Sequence, residues 1–140
     1  MFAFRESMGF LLGRTNQKLI NRLSRELREY NITPEQWALL NLLMDEDGIL
    51  QKELSVKSGK DQTTITRALD NLNKKNYIER CSSPNDRRAF LIYLTDEGRG
   101  LMERLVPIAK NLLNEIFKGF SQKEINELKS LLDKLYEAIE

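Results

Sequence analysis

Three observations predict a mainly α fold with a small β component (α+β). Apolar residues recur at helical spacing over most of the 140 residues. Capping signals stand directly ahead of several of these stretches. Only between residues 77 and 95 does the pattern change to strand-like alternation, around a Ser-Pro-Asn-Asp cluster that marks a turn. The most specialised stretch is Asp61 to Thr95. It reads as a polar-faced helix, DQTTITRALDNLNKK, running into two strands, YIERCS and AFLIYLT, joined by the loop SPNDRR.

The first element runs from about Arg5 to Tyr30. Met8, Leu12, Leu19, Leu23 and Leu27 are spaced by four or seven residues, with Leu11 and Ile20 widening the stripe, so one long amphipathic helix is expected. Its broad apolar stripe either packs centrally or meets a second subunit. Thr33-Pro34-Glu35-Gln36 then forms a capping box with Pro at N1, and Ile32 and Trp37 stand at the staple positions. The helix that follows, QWALLNLLMDE, is apolar nearly all round and should be buried, ending at Asp45 to Gly48. Gln51 to Ser58 makes a short third helix. Gly59 suits a left-handed C-cap, and Asp61 an N-cap for the next helix.

On that fourth helix Ile65, Ala68, Leu69 and Leu72 share one side. Thr63, Arg67, Asp70 and Lys74 occupy the other, flanked by Thr64, Thr66 and Asn71. A short helix, a turn of about three residues and a helix with a polar outer face form a helix-turn-helix signature. The outer face carries short hydroxyls and one guanidinium, the groups that read base edges in a major groove; a merely solvated face is the bland alternative. Asn76 stands where a left-handed cap is expected. The hairpin after it has the position of a wing, and Arg87-Arg88 at its tip suits a minor groove. Asp86 is placed to orient these arginines by an ion pair. Thr95-Asp96-Glu97 starts a helix to about Lys118 with a kink expected at Pro107, and Ser121 to Glu124 is a second capping box with Phe120 and Ile125 as its staple. The last helix presents Ile125, Leu128, Leu131, Leu132, Leu135 and Ile139.

Composition is that of ordinary globular material, 41% hydrophobic and 31% charged, with a net charge of +1. The charge is unevenly placed. Lys52 to Arg88 holds nine basic residues against five acidic ones, whereas Ser121 to Glu140 holds three against five. Positive charge thus concentrates on the candidate reading segment. The chain has no histidine and one cysteine, Cys81, so a zinc site, a histidine-based triad and an internal disulfide are all disfavoured, and no cofactor is called for. Carboxylates are plentiful but none is paired in a way that suggests an enzyme. Cys81 is read as an inert, half-buried thiol in preference to a redox switch, since no second cysteine or histidine is present to activate or resolve it. No apolar run approaches the roughly 20 residues that span a bilayer, the N-terminus does not read as a signal peptide, and a cytoplasmic protein without membrane contact is expected.

The order of elements, with Ser83-Pro84-Asn85-Asp86-Arg87-Arg88 followed by Leu94-Thr95-Asp96-Glu97-Gly98, resembles the MarR family of winged-helix transcriptional regulators. The resemblance covers almost the whole chain. Its most specific part is Asp86-x-Arg88 followed six residues later by Leu94-Thr95; Thr64-Ile65-Thr66-Arg67 comes second. It implies a single domain, with a winged helix-turn-helix lobe at 32–95 and dimerisation helices at 1–31 and 96–140. Thr63, Thr64, Thr66 and Arg67 would face the major groove of double-stranded DNA, with Lys74 on the same face, and Asp86, Arg87 and Arg88 would serve the minor groove or its phosphates. It also implies a homodimer on a pseudo-palindromic operator and repression relieved by a small, often aromatic or phenolic, effector. Arg14, Tyr30 and Trp37 are the candidates to line an effector cavity under the first helix, against the simpler reading of a core Trp and a solvated Arg. The family's peroxide-sensing branch carries a reactive cysteine in the first helix, where this chain has none. The alternative function is a winged-helix module that binds protein rather than DNA.

Overall fold

The computed structural model describes residues 3–140. Among these residues the helices and strands follow in the order α1 (Met8–Leu27), α2 (Pro34–Asp45), β1 (Ile49–Leu50), α3 (Gln51–Ser58), α4 (Gln62–Lys74), β2 (Ile78–Ser82), β3 (Phe90–Leu94), α5 (Asp96–Ile116) and α6 (Gln122–Ala138). The chain divides into two compact units, one ending at Val106 and the other Pro107–Glu140.

The first helix differs from the single 5–30 helix that periodicity suggests. Phe4–Glu6 is a separate 3-10 turn, and Ser7, in extended conformation, accepts a hydrogen bond from the Phe10 N–H to start α1. At the other end α1 tightens into a 3-10 turn, Arg28–Tyr30, which stops at Asn31 with φ +59°. Both breaks are made by small polar residues that offer the backbone a local partner or tolerate the left-handed region. Of the predicted stripe Leu27 is buried, whereas Met8, Leu12 and Leu19 are exposed.

The capping box at α2 forms as the sequence predicts: the Thr33 hydroxyl accepts from the Gln36 N–H at 3.2 Å and the Gln36 side chain accepts from the Thr33 N–H at 3.1 Å. Leu39, Leu40 and Leu43 are fully covered. With Leu54, Ile65, Leu69, Leu72, Ile78, Ile92, Leu101, Met102 and Leu105 they make the core of the first unit. Each such side chain contributes about 1.5–3 kcal/mol by leaving water.

The sheet has strand order β1-β3-β2, both pairings antiparallel. In the hairpin Ile78 faces Leu94 and Ser82 faces Phe90. The two-residue β1 has no counterpart in the sequence pattern; it adds Ile49 opposite Ile92 on the far edge of β3. Asp47, just before it, reinforces that edge: one carboxylate oxygen accepts from the Leu94 N–H at 2.9 Å, the other from the Arg99 guanidinium at 2.6 Å. One of the acids that end α2 therefore holds the start of α5.

Helix α5 begins as expected, with the Thr95 hydroxyl accepting from the Gly98 N–H at 3.0 Å. It contains Pro107 and ends at Ile116, slightly short of the expected Lys118. In the second unit the rings of Phe117 and Phe120 meet edge to face, and the Ser121–Glu124 capping box opens α6. Leu128, Leu131, Leu132, Tyr136 and Ile139 are exposed along it. Among the described residues no helix is long and apolar enough to cross a membrane.

Candidate nucleic-acid interface

Helix α4 is set in place by its first turn. The Asp61 carboxylate accepts from the Thr64 N–H at 2.7 Å, and this bond, with the field of Arg67 adding a little, holds its pKa below the usual carboxylate value. Gly59, with φ +70°, makes the turn from α3, and the Ser55 hydroxyl donates to the Lys60 carbonyl at 2.7 Å to close it. Ile65, Ala68, Leu69 and Leu72 are buried, so the opposite face is fixed outward.

On that face Thr63, Thr66, Arg67 and Lys74 are exposed, and Thr64 is half-buried. Thr66 is not a free hydroxyl: its oxygen accepts from the side-chain amide of Gln51 at the start of α3, at 2.9 Å. Asp70 belongs to a different group from the one its position on the helix suggests. It pairs with Arg80 of β2 at 2.8 Å, across to the base of the wing. The two stand on different elements, so helical periodicity could not reveal the pair. With the Asp70 side more than half exposed, such a bridge contributes about 0.2–1 kcal/mol.

The helix ends on Lys75, whose ammonium donates to the Asn31 carbonyl and, at 3.5 Å, to the Gln36 side chain. Partial burial pushes its pKa down. Asn76 takes φ +64°, the left-handed cap predicted for it, and its amide donates to Glu97.

The wing tip is organised by backbone bonds. The Ser83 N–H reaches the Ala89 carbonyl at 2.9 Å, and the Ala89 N–H reaches the Asp86 carbonyl at 3.1 Å. The Asp86 side chain accepts from the Arg88 backbone N–H at 2.9 Å. Among the described residues Asp86 forms no ion pair with either arginine, so it shapes the turn instead of neutralising the guanidinium groups. Arg87 and Arg88 are exposed. Cys81 is exposed as well, not half-buried as expected, because Ile78 and Arg80 claim the inner face of β2 and the alternation turns Cys81 outward. Between α3, α4 and the wing lies an open groove of about 670 Å³. Gln51, Thr66, Asp70, Arg80, Asp86 and Arg88 all line it.

The charge balance follows. Lys57 is engaged by Glu46, which raises its pKa, and Arg80 by Asp70. Lys52, Lys60, Arg67, Lys74, Arg87 and Arg88 form no ion pair among the described residues, and neither do Glu53, Asp61, Glu79 and Asp86, so the segment keeps a net positive charge. The candidates for an effector cavity are Arg14, Tyr30 and Trp37. Arg14 is exposed on α1 with its guanidinium 5.6 Å from the Phe10 ring centre, and Tyr30 and Trp37 are half-buried. None of the three lines the groove.

A helix-turn-helix followed by a hairpin that, with β1, completes a three-stranded sheet defines the chain as a winged helix-turn-helix protein. It belongs to the MarR family. The MarR family model matches residues 30–89. The transcriptional repressor MprA of Escherichia coli K12 is 32% identical over 120 residues, covering 84% of this chain and 68% of that protein. The regulator SarZ of Staphylococcus epidermidis is 27% identical over 130 residues, covering 91% and 88%. Among solved structures, the chain superposes on a cysteine-to-serine mutant of E. coli MarR complexed with operator DNA with a TM-score of 0.86, at 30% identity and 96% and 99% coverage. A MarR regulator from Methanosarcina mazei gives a TM-score of 0.84, at 26% identity and 94% coverage of both chains. The family is one of transcription regulators, not of enzymes.

Proposed function

We propose that this chain binds double-stranded DNA sequence-specifically as a homodimer and represses transcription from a pseudo-palindromic operator. The observation that carries the reading is that Thr66 of α4 and Arg88 of the wing line one groove. The exposed Thr63, Thr66 and Arg67 and the half-buried Thr64 stand on α4, and the unpaired Arg87 and Arg88 stand on a wing that borders the same groove. Hydroxyls and a guanidinium on a helix suit base edges, while paired arginines on a thin hairpin suit a minor groove or its phosphates. Lys74, further along the same face, suits a phosphate contact. Asp86 acts by holding the turn that presents Arg88. The operator complex of the E. coli relative and the repressor name of MprA support the class of partner.

The second copy is supported by the apolar residues left in water at the two ends of the chain. Met8 on α1 and Leu131, Tyr136 and Ile139 at α6 are each more than three-fifths exposed. A two-fold dimer would present two reading helices to half-sites about one helical turn apart. The family resemblance adds relief by a small aromatic or phenolic effector, with Arg14, Tyr30 and Trp37 as its candidate contacts, and a cytoplasmic location where the genome is reached.

The test is a binding selection from random duplex followed by titration of the recovered site at increasing salt. A two-fold related motif whose affinity falls linearly on a log–log salt plot is the expected outcome. Absence of any duplex retention would favour the protein-binding alternative. Small aromatic acids and phenols screened by thermal shift, then by operator release, test the effector.

A further inference from the structure

The ion pair between Asp70 and Arg80 has no part in the contacts to DNA assigned so far. Arg80 stands on the inner face of β2, opposite Ile92 of β3, with only 19% of its side chain exposed. Its one ion-pair partner among the described residues is Asp70, three residues beyond Arg67 on α4. The hairpin leaves the core immediately afterwards: Ile78 is buried, whereas Cys81 and Ser82 are exposed. Arg80 is therefore the last inward-facing residue of β2 that is mostly covered before the strand reaches the exposed tip. Through Asp70 this position of β2 is tied to α4.

We propose that Asp70 is a positioning residue for duplex binding: it holds Arg80 against α4 and thereby sets the wing that carries Arg87 and Arg88. The inference rests on the DNA-binding reading and adds a residue that touches no DNA. A carboxylate on the face offered to a polyanion is, by charge alone, unfavourable to binding. Removing it should tighten the complex if it does nothing else. A positioning role reverses that sign. Without Asp70 the Arg80 guanidinium loses its partner within a groove also bordered by Asp86, and the wing loses its fixed angle.

Operator affinity is measured by fluorescence anisotropy at fixed salt for the full chain and for Asp70→Asn, Asp70→Glu and the exchanged pair Asp70→Arg with Arg80→Asp. The expected result is a two- to about fivefold loss for Asp70→Asn, the most that a part-exposed bridge of this kind can hold. Recovery is expected in Asp70→Glu and in the exchanged pair, with all variants melting as folded proteins. Wild-type binding with equal or tighter binding by Asp70→Asn would overturn the proposal and leave the DNA-binding reading standing. No binding by the wild-type chain to any selected duplex would overturn both. Loss in Asp70→Asn without recovery in either restoring variant would also overturn it, because the pair's geometry would then not be what binding requires.

Discussion

Gly98 and the backbone of Tyr77 are in closer approach than any side chain would allow: a Cβ on Gly98 would lie 2.2 Å from the Tyr77 carbonyl oxygen. That oxygen also accepts from the Thr95 N–H at 3.1 Å. The first turn of α5 is thus seated directly on the residue that leads into β2. Gly98→Ala should force the two apart and cost about 1–3 kcal/mol or more, as overpacking does. Gly100, two residues on, has open space. Gly100→Ala should stabilise by about 0.4–1 kcal/mol through the unfolded chain. Urea unfolding of both variants checks the contrast; equal effects would show that helix propensity alone governs them.

Acidification acts on the cap of α4. The Asp61 pKa is lowered in the folded chain, so the folded state binds fewer protons there than the unfolded one. Its stabilising contribution is complete above the ordinary value of 3.8 and disappears as pH falls through the lower folded value. Asp61→Asn retains a capping oxygen but cannot titrate. The stability difference between wild type and Asp61→Asn should be constant above about pH 5 and move against the wild type as pH falls below that. Chemical denaturation across the acid range measures it, and a flat difference would refute the linkage.

The two arginine groups should separate by what they do. Arg67→Ala is expected to lose about 1–3 kcal/mol and to relax base preference at one position of each half-site. Arg88→Ala should lose affinity across sequences and lower the salt slope by about one. Repeating the binding selection with each variant distinguishes them; an unchanged motif for Arg67→Ala would remove it from the reading role.

A charge on α6 tests the second copy. Leu131 is 63% exposed, so Leu131→Glu should leave the fold of one chain intact. If α6 is part of a homodimer interface, sedimentation should shift from dimer to monomer and operator affinity should fall with it. A chain that sediments as a monomer before mutation would exclude that assembly.

Much of the lobe is legible in the sequence because its signals are local. Asp61, Gly59 and Asn76 each hold a conformation that the residue type favours within a turn of where it stands, and Ile65 to Leu72 bury by helical period alone. What escapes such reading depends on partners far along the chain. β1 is two residues long and exists because Ile49 meets Ile92. Asp47 looks like one more acid at a helix end until Leu94 and Arg99 arrive beside it. Asp70 shares a helical face with Arg67, yet its partner stands on β2. The outward turn of Cys81 was available in principle: once Ile78 is assigned inward, alternation by two leaves no other choice. The break at Ser7 is hidden by the apolar stripe that runs on across it.

The bond from Gln51 to Thr66 also biases what that threonine says to a base. A hydroxyl has one proton to give and two lone pairs to offer. Here one lone pair already receives the Gln51 amide, so the proton and a single lone pair remain, and the balance shifts toward donation. In a major groove such a hydroxyl favours guanine O6 or N7, adenine N7 or thymine O4 over the amino groups of cytosine and adenine. Thr66 would then speak as a donor, its polarity assigned by a neighbouring helix. Gln51→Ala should return it to neutrality, seen as a broadened preference at a single position of the selected site.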